Sequence, residues 1–224
     1  MSVYQLSEEF IFPHPDLADE SGLLAYGGDL KAERLVQAYA NGIFPWYSIG
    51  EPILWWSPNP RMVLFPDKLK VSKSLKQNLN NKLYEVRFDT NFKEVIEHCS
   101  KVPRDGQDGT WITEEMKMAY IHLFKLGIAH SVETYSGEEL VGGLYGISIG
   151  SAFFGESMFQ TKSDASKVAL FHLVKKIKDW GFTFIDAQVE TDHMKRMGAE
   201  NISREKFLKM LKIAIKAPTI KGKW

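Results

Sequence analysis

The sequence predicts a mixed α/β fold of the α+β kind, in which a small irregular N-terminal domain precedes a sheet-forming domain. Three observations predict it. The first sixty residues are crowded with Gly, Pro and Trp around one helical stretch. Residues 129–158 alternate as three strands joined by tight turns, and residues 182–189 read as a buried strand that follows a long amphipathic helix.

In the N-terminal part, Asp29 stands in capping position before Leu30, Arg34, Leu35, Ala38 and Tyr39 at helical spacing, and Asn41-Gly42 stops the helix. The small domain is placed at residues 1–66 and the second at 67–224. Within the second, Ser72 to Asn81 reads as a helix, Tyr84 to Phe88 as a strand, and Asn91 to Ser100 as a helix entered through Asp89-Thr90. Thr113 caps a helix from Glu114 that closes at Gly127. Strands at 129–135, 140–149 and 151–158 then form an antiparallel meander turning at Ser136-Gly137 and Gly150. A helix from about Asp164 to Trp180 leads to the run at 182–189, apolar on both faces apart from two side chains, as a central strand is. A last helix spans Ser203 to Ile215. Meander, helix, buried strand and helix, in that order, is the layout of the GNAT acyltransferase fold.

Composition bounds what such a chain does. It has 224 residues, 44% apolar and 25% charged, the profile of a folded protein with one large core or two modest ones. No run reaches the ~18 to 20 apolar residues of a membrane span, and the first ten residues lack the order of a signal peptide, so a cytoplasmic protein is expected. Cys99 is the only cysteine, which excludes an internal disulfide and a multi-thiolate metal site. The 28 basic and 28 acidic side chains cancel, but the first 51 residues hold eight acids against two bases, and lysines gather further along the chain. Those clusters permit a polyanionic partner and are equally read as solvated helix faces.

Candidate chemistry begins at Asp186 and Gln188, two apart on the buried strand and so on one face. A buried carboxylate needs donors or a cavity; the pair is either bonded to neighbouring backbone or stands in a cleft. Glu156 lies between Phe154 and Met158, suited to holding an ammonium in an apolar pocket, or else exposed at a strand end. Gly142, Gly143, Gly146, Gly150 and Gly155 interrupt the meander, which suits a ligand lying across the sheet or the demands of turns. A coenzyme A cradle needs a glycine-bearing loop after the third meander strand; residues 157–167 contain none, and Asp164 puts an anion where a pyrophosphate would sit. Tyr39, Trp46, Trp111 and Tyr120 offer stacking surfaces or core filling. Cys99, beside His98 in a helical pattern, reads as a buried thiol.

Taken as a set, GLLAYGGDL at 22–30, GIFPW at 42–46, WWSPNPR at 55–61, GTWIT at 109–113, AHSVE at 129–133, LVGGLYG at 140–146, FGESMF at 154–159, ASK at 165–167 and IDAQ at 185–188 give the chain a family likeness. It resembles the bacterial leucyl/phenylalanyl-tRNA–protein transferases from about residue 10 to about 208. The resemblance implies an aminoacyltransferase with a GNAT-like domain. Its donor is aminoacyl-tRNA carrying Leu or Phe, and its acceptors are proteins with N-terminal Arg or Lys, marked in this way for degradation. It implies no metal and no coenzyme, and no membrane partner is expected. Carried over by position, the catalytic pair falls on Asp186 and Gln188, and the acid near the reactive centre on Glu156. Contacts to the terminal adenosine or aminoacyl group fall on Trp46, Trp111, Tyr39 and Tyr120, and the aminoacyl pocket on Leu144, Met158, Leu173, Ile177 and Ile185. Strict alternation places Ile185 opposite Asp186, so its pocket role requires the strand to splay. The acceptor's basic side chain calls for a carboxylate, with Glu133 and Glu156 as candidates. The rival readings are an acyl-coenzyme A N-acetyltransferase, a cell-wall aminoacyl-tRNA transferase, and a tRNA-binding module without activity.

Overall fold

The computed structural model describes residues 3–102 and 111–224. Its first part is more regular than Gly and Pro content suggests. Four short strands, β1 (Tyr4–Leu6), β2 (Leu23–Gly27), β3 (Phe44–Pro45) and β4 (Leu54–Trp56), form a sheet in the order β1-β2-β4-β3. Helix α1 (Ala32–Ala40) packs beside it, with Lys31 rather than Asp29 at its cap. Asp29 instead accepts the Lys31 N–H at 3.0 Å and pairs with Arg34, making a turn that precedes the helix. Gly42 stops the helix at φ +76°, where a Cβ would stand 2.7 Å from Leu208.

The larger sheet has seven strands in the order β11-β5-β10-β9-β8-β7-β6. They are β5 (Arg61–Leu64), β6 (Glu85–Phe88), β7 (Ala129–Ser136), β8 (Glu139–Ile149), β9 (Ala152–Gln160), β10 (Phe184–Gln188) and β11 (Glu200–Ile202). The expected boundary at residue 66 therefore falls one strand late: β5 pairs with β10 and β11, so the chain enters the large sheet at Arg61. The first part has no core of its own: Leu35 and Tyr39 pack in one apolar cluster with Tyr145 and Phe154 of the second part, and another cluster lies under α5.

Five helices follow the sequence reading closely, α2 (Lys73–Asn80), α3 (Phe92–Ser100), α4 (Glu114–Lys125), α5 (Ala165–Asp179) and α7 (Arg204–Ala214), and the short α6 (Asp192–Arg196) is not among those it predicts. Ser72, Thr113 and Ser203 cap their helices by accepting from the third residue on. The β6–β9 meander is antiparallel, whereas β10, delivered by the α5 crossover, runs parallel to β9 and antiparallel to β5. That arrangement is the GNAT layout expected from the sequence. Among the described residues, no helix is long and apolar enough to cross a membrane.

Candidate active site

The site arises where two strands part. β9 and β10 pair from Ala152↔Phe184 to Phe154↔Asp186, and there the ladder ends. Beyond it β9 runs on to Gln160 against β8 alone, and the two strands open into a cavity of about 740 Å³. That size suits a small-molecule substrate.

Both strands carry a bulge at the opening. On β9, Tyr145 faces Ser157 and Gly146 faces Gly155, which leaves Glu156 as the extra residue. On β10, Asp186 faces Val63 and Gln188 faces Met62, leaving Ala187 extra, with Gln188 at φ +63°. A bulge re-aims side chains. Alternation thus fails for Asp186 and Gln188: Gln188 lines the cavity together with Ile185 and Ala187, whereas Asp186 is wholly buried and does not line it.

Asp186 is held by Arg61. The guanidinium Nε donates to Oδ1 at 2.8 Å and a terminal nitrogen to Oδ2 at 2.7 Å, with both side chains at most 1% exposed. Arg61 also donates to the Gly42 carbonyl and lies under the rings of Phe44 and Phe207. The remaining capacity of Asp186 goes to the Gln188 backbone, whose N–H donates to Oδ1 at 2.9 Å. The carboxylate therefore fixes the bulge and not the Gln188 amide.

Glu156 is the centre of the polar contacts. Its Oε1 accepts from the Tyr39 hydroxyl at 2.7 Å and from Gln188 Nε2 at 2.8 Å; its Oε2 accepts from the Tyr120 hydroxyl at 3.0 Å. The two hydroxyls are also in contact with each other. Burial pushes the Glu156 carboxyl up to about 7, against the pull of its three donors. Burial, then the neighbouring Glu156 charge, pushes both phenols well above the usual tyrosine value, so they stay neutral donors. With its nitrogen donated to Glu156, the Gln188 amide keeps its oxygen as an acceptor.

The remaining expected site residues divide. Trp46, Trp111, Leu144, Met158, Leu173 and Ile185 line the cavity. Tyr39 and Tyr120 do not: both rings are fully buried, so the direct stacking role carried over for them is replaced by holding Glu156. Ile177 also lies off the cavity, in the apolar cluster beneath α5. Glu133 is fully buried on β7, and its carboxylate accepts from the Thr90 and Asn91 backbone just before α3; it does not line the cavity. Of the five meander glycines Gly155 alone lines the cavity; a Cβ at Gly146 would meet the Phe154 carbonyl at 2.2 Å, so the chain itself accounts for that glycine. Gly109 and Thr110 of the motif before Trp111 lie outside the described residues.

Other candidates settle into structural places. His130 pairs with Asp89 at 2.8 Å and stacks on Trp224, and Cys99 is buried in the core. At the head of α5, Asp164 is 6% exposed, bonded to Lys167 and Asn78. Its carboxylate makes no capping bond to the helix amides but puts a negative charge beside the helix end, where a pyrophosphate would be repelled. Arg61 is the residue that sequence reasoning missed, although a buried Asp186 asked for a cation and the WWSPNPR motif supplied one.

A meander, a crossover helix and a parallel strand that splays around an apolar cavity, with an acid and an amide in its wall, make a GNAT-like fold. The family model described as leucyl/phenylalanyl-tRNA protein transferase matches residues 63–212, and the one for its N-terminal domain matches 28–59. A Myxococcus xanthus protein named leucyl/phenylalanyl-tRNA–protein transferase is 58% identical over 226 residues, covering 100% of this chain and 97% of its own. A Desulfatibacillum aliphaticivorans protein of the same name is 52% identical over 224 residues, covering 100% and 96%. The chain belongs to the leucyl/phenylalanyl-tRNA–protein transferase family. Among solved structures, a GCN5-related N-acetyltransferase from Kribbella flavida aligns over 79% of this chain and 62% of its own at 9% identity, with a TM-score of 0.39.

Proposed function

We propose that this protein moves Leu or Phe from aminoacyl-tRNA onto the N-terminal Arg or Lys of acceptor proteins, marking them for degradation. The observation that carries this reading is the apolar cavity in the β9–β10 opening, whose wall contains Glu156 and Gln188. Leu144, Met158, Leu173 and Ile185 form a slot for an aliphatic or aromatic side chain, and Trp46 and Trp111 stand where the terminal adenine can stack. Arg196 on the same wall supplies charge for the phosphates of the RNA end, whereas Lys167 is paired with Asp164. Charged tRNA as donor puts the reaction in the cytoplasm.

The reaction is aminolysis of an ester already activated by its ribose. An α-amino group titrates near ~7.7 to 8.0, so a useful fraction is neutral at physiological pH and positioning supplies much of the acceleration. Gln188 presents its amide oxygen to an N–H of the attacking amine and aims the nitrogen lone pair at the ester carbon. Asp186 is a positioning residue: it holds the Gln188 backbone, with its own charge balanced by Arg61. Of the two carboxylates expected to meet the acceptor, Glu156 lines the cavity and Glu133 does not.

The test incubates the purified protein with leucyl-tRNA and a peptide beginning with Arg. A mass gain of one leucyl residue is expected. A gain from acetyl-coenzyme A and none from leucyl-tRNA would overturn the reading in favour of an ordinary N-acetyltransferase; binding of tRNA without transfer would favour the inactive module.

A further inference from the structure

Three oxygen-to-oxygen contacts close a ring among Glu156, Tyr39 and Tyr120: Tyr39 to Oε1, Tyr120 to Oε2, and hydroxyl to hydroxyl. Each such contact is stabilised by one proton. An ionised Glu156 with two neutral phenols offers two, and both go to the carboxylate, so the hydroxyls are left facing each other with lone pairs only. A third proton completes the ring. With it on Oε2, Glu156 donates to Tyr120, Tyr120 to Tyr39, and Tyr39 to Oε1.

The ring also has an open door. An ionised carboxylate has about four acceptor sites; Oε1 uses two, for Tyr39 and Gln188, and Oε2 uses one, for Tyr120. The site left over is on Oε2, and Glu156 lines the cavity. We propose that the Glu156–Tyr39–Tyr120 ring is the proton acceptor of the reaction, taking the proton that the acceptor's α-ammonium sheds before it attacks. The inference rests on the transferase reading above and adds the destination of the proton.

The step balances. One ammonium N–H bond breaks, its electron pair stays on nitrogen, and the proton bonds Glu156 Oε2. The nitrogen attacks the ester carbon and the ester C–O bond breaks with its pair on the ribose oxygen. That oxygen takes a second proton from the nitrogen; the third remains in the new amide, and Glu156 returns the first to solvent. The groups facing Glu156 are Tyr39 from α1, Tyr120 from α4, Gln188 and Asp186 from β10, with Tyr145 of β8 edge-on to Tyr120 and the charge of Arg61 spent on Asp186. No cation among them opposes protonation. A carboxyl near 7 and an amine near ~7.7 to 8.0 exchange a proton with little difference in driving force.

Glu156→Gln tests it, because an amide keeps one acceptor and one donor for the two phenols but takes up no proton. The expected result is a kcat at pH 7 lower by about 100-fold, the low end of a general-base contribution, with leucyl-tRNA affinity within twofold. The acidic limb of the wild-type pH–rate profile near 7 should vanish in the variant. A kcat within threefold of wild type would overturn the proposal. A second measurement needs no substrate: infrared titration of protein labelled at glutamate should show a carboxyl losing its proton near neutrality, absent in Glu156→Gln. A carboxylate ionised throughout pH 5–8 would overturn the ring. Failure of the wild-type protein to transfer leucine would instead overturn the transferase reading, with the infrared band unaffected.

Discussion

Arg61 and Asp186 meet across the β5–β10 ladder through two parallel hydrogen bonds, 2.8 and 2.7 Å, in a place closed to water. The pair ties the strand that enters from the first part of the chain to the strand that carries Gln188. It places the Asp186 carboxylate beneath the site without exposing it to substrate.

Removing either partner leaves a buried charge unpaired, a cost of about 3 to 5 kcal/mol. Asp186→Ala is therefore expected to melt well below wild type and to lose turnover with it. Asp186→Asn still accepts the Gln188 N–H and should retain more turnover than the alanine variant in proportion to folded protein. Thermal unfolding together with kcat on the folded fraction checks both; equal stability of Asp186→Ala and wild type would refute the structural role.

Leu173 lines the cavity and Ile177, one helical turn on, does not. Shortening Leu173 to Ala enlarges the slot, and differences of a methylene or so are worth about 1 to 3 kcal/mol in discrimination. The ratio of kcat/KM for phenylalanyl- over leucyl-tRNA should rise by roughly tenfold. Ile177→Ala should cost about 2 to 5 kcal/mol of stability and leave that ratio alone. A shifted ratio in Ile177→Ala would place the pocket differently.

Glu133 accepts from Thr90 N, Asn91 N and the Thr90 and Ser131 hydroxyls, so a strand residue holds the turn that leads into α3. Glu133→Ala leaves buried donors without a partner, at about 1 to 3 kcal/mol. Its thermal midpoint should drop while KM for an Arg-starting peptide stays unchanged. A KM that rises several-fold with stability intact would return Glu133 to the acceptor site.

The sequence made the helices and the meander legible because caps, glycine stops and alternation are local signals. Thr113 and Ser203 announce their helices by chemistry confined to three residues. The small sheet was hidden because β3 and β4 are two and three residues long, too short for a period to register. The site was legible in residue identity but not in geometry. Alternation put Asp186 and Gln188 on one face, and a one-residue bulge at Ala187, set by pairing with β5, separates them. The partnership of Tyr39 and Tyr120 with Glu156 joins residues 117 and 36 positions apart, a relation that no local pattern carries.

The raised Glu156 carboxyl makes stability depend on pH in a direction opposite to that of an ion-paired acid. In the unfolded chain the group titrates near 4.5 and in the folded protein at about 7, so between these values the folded state binds more proton. Stability then falls as pH rises through this window, being fully present below about 4.5 and lost above about 7. The shift corresponds to about 3 kcal/mol at one site. Glu156→Gln has no such proton to lose. The difference in thermal midpoint, variant minus wild type, should therefore grow between pH 4.5 and 7 and level off above it. A difference that is flat across the window would mean that Glu156 is ionised in the folded protein throughout, and the ring would then lack its third proton.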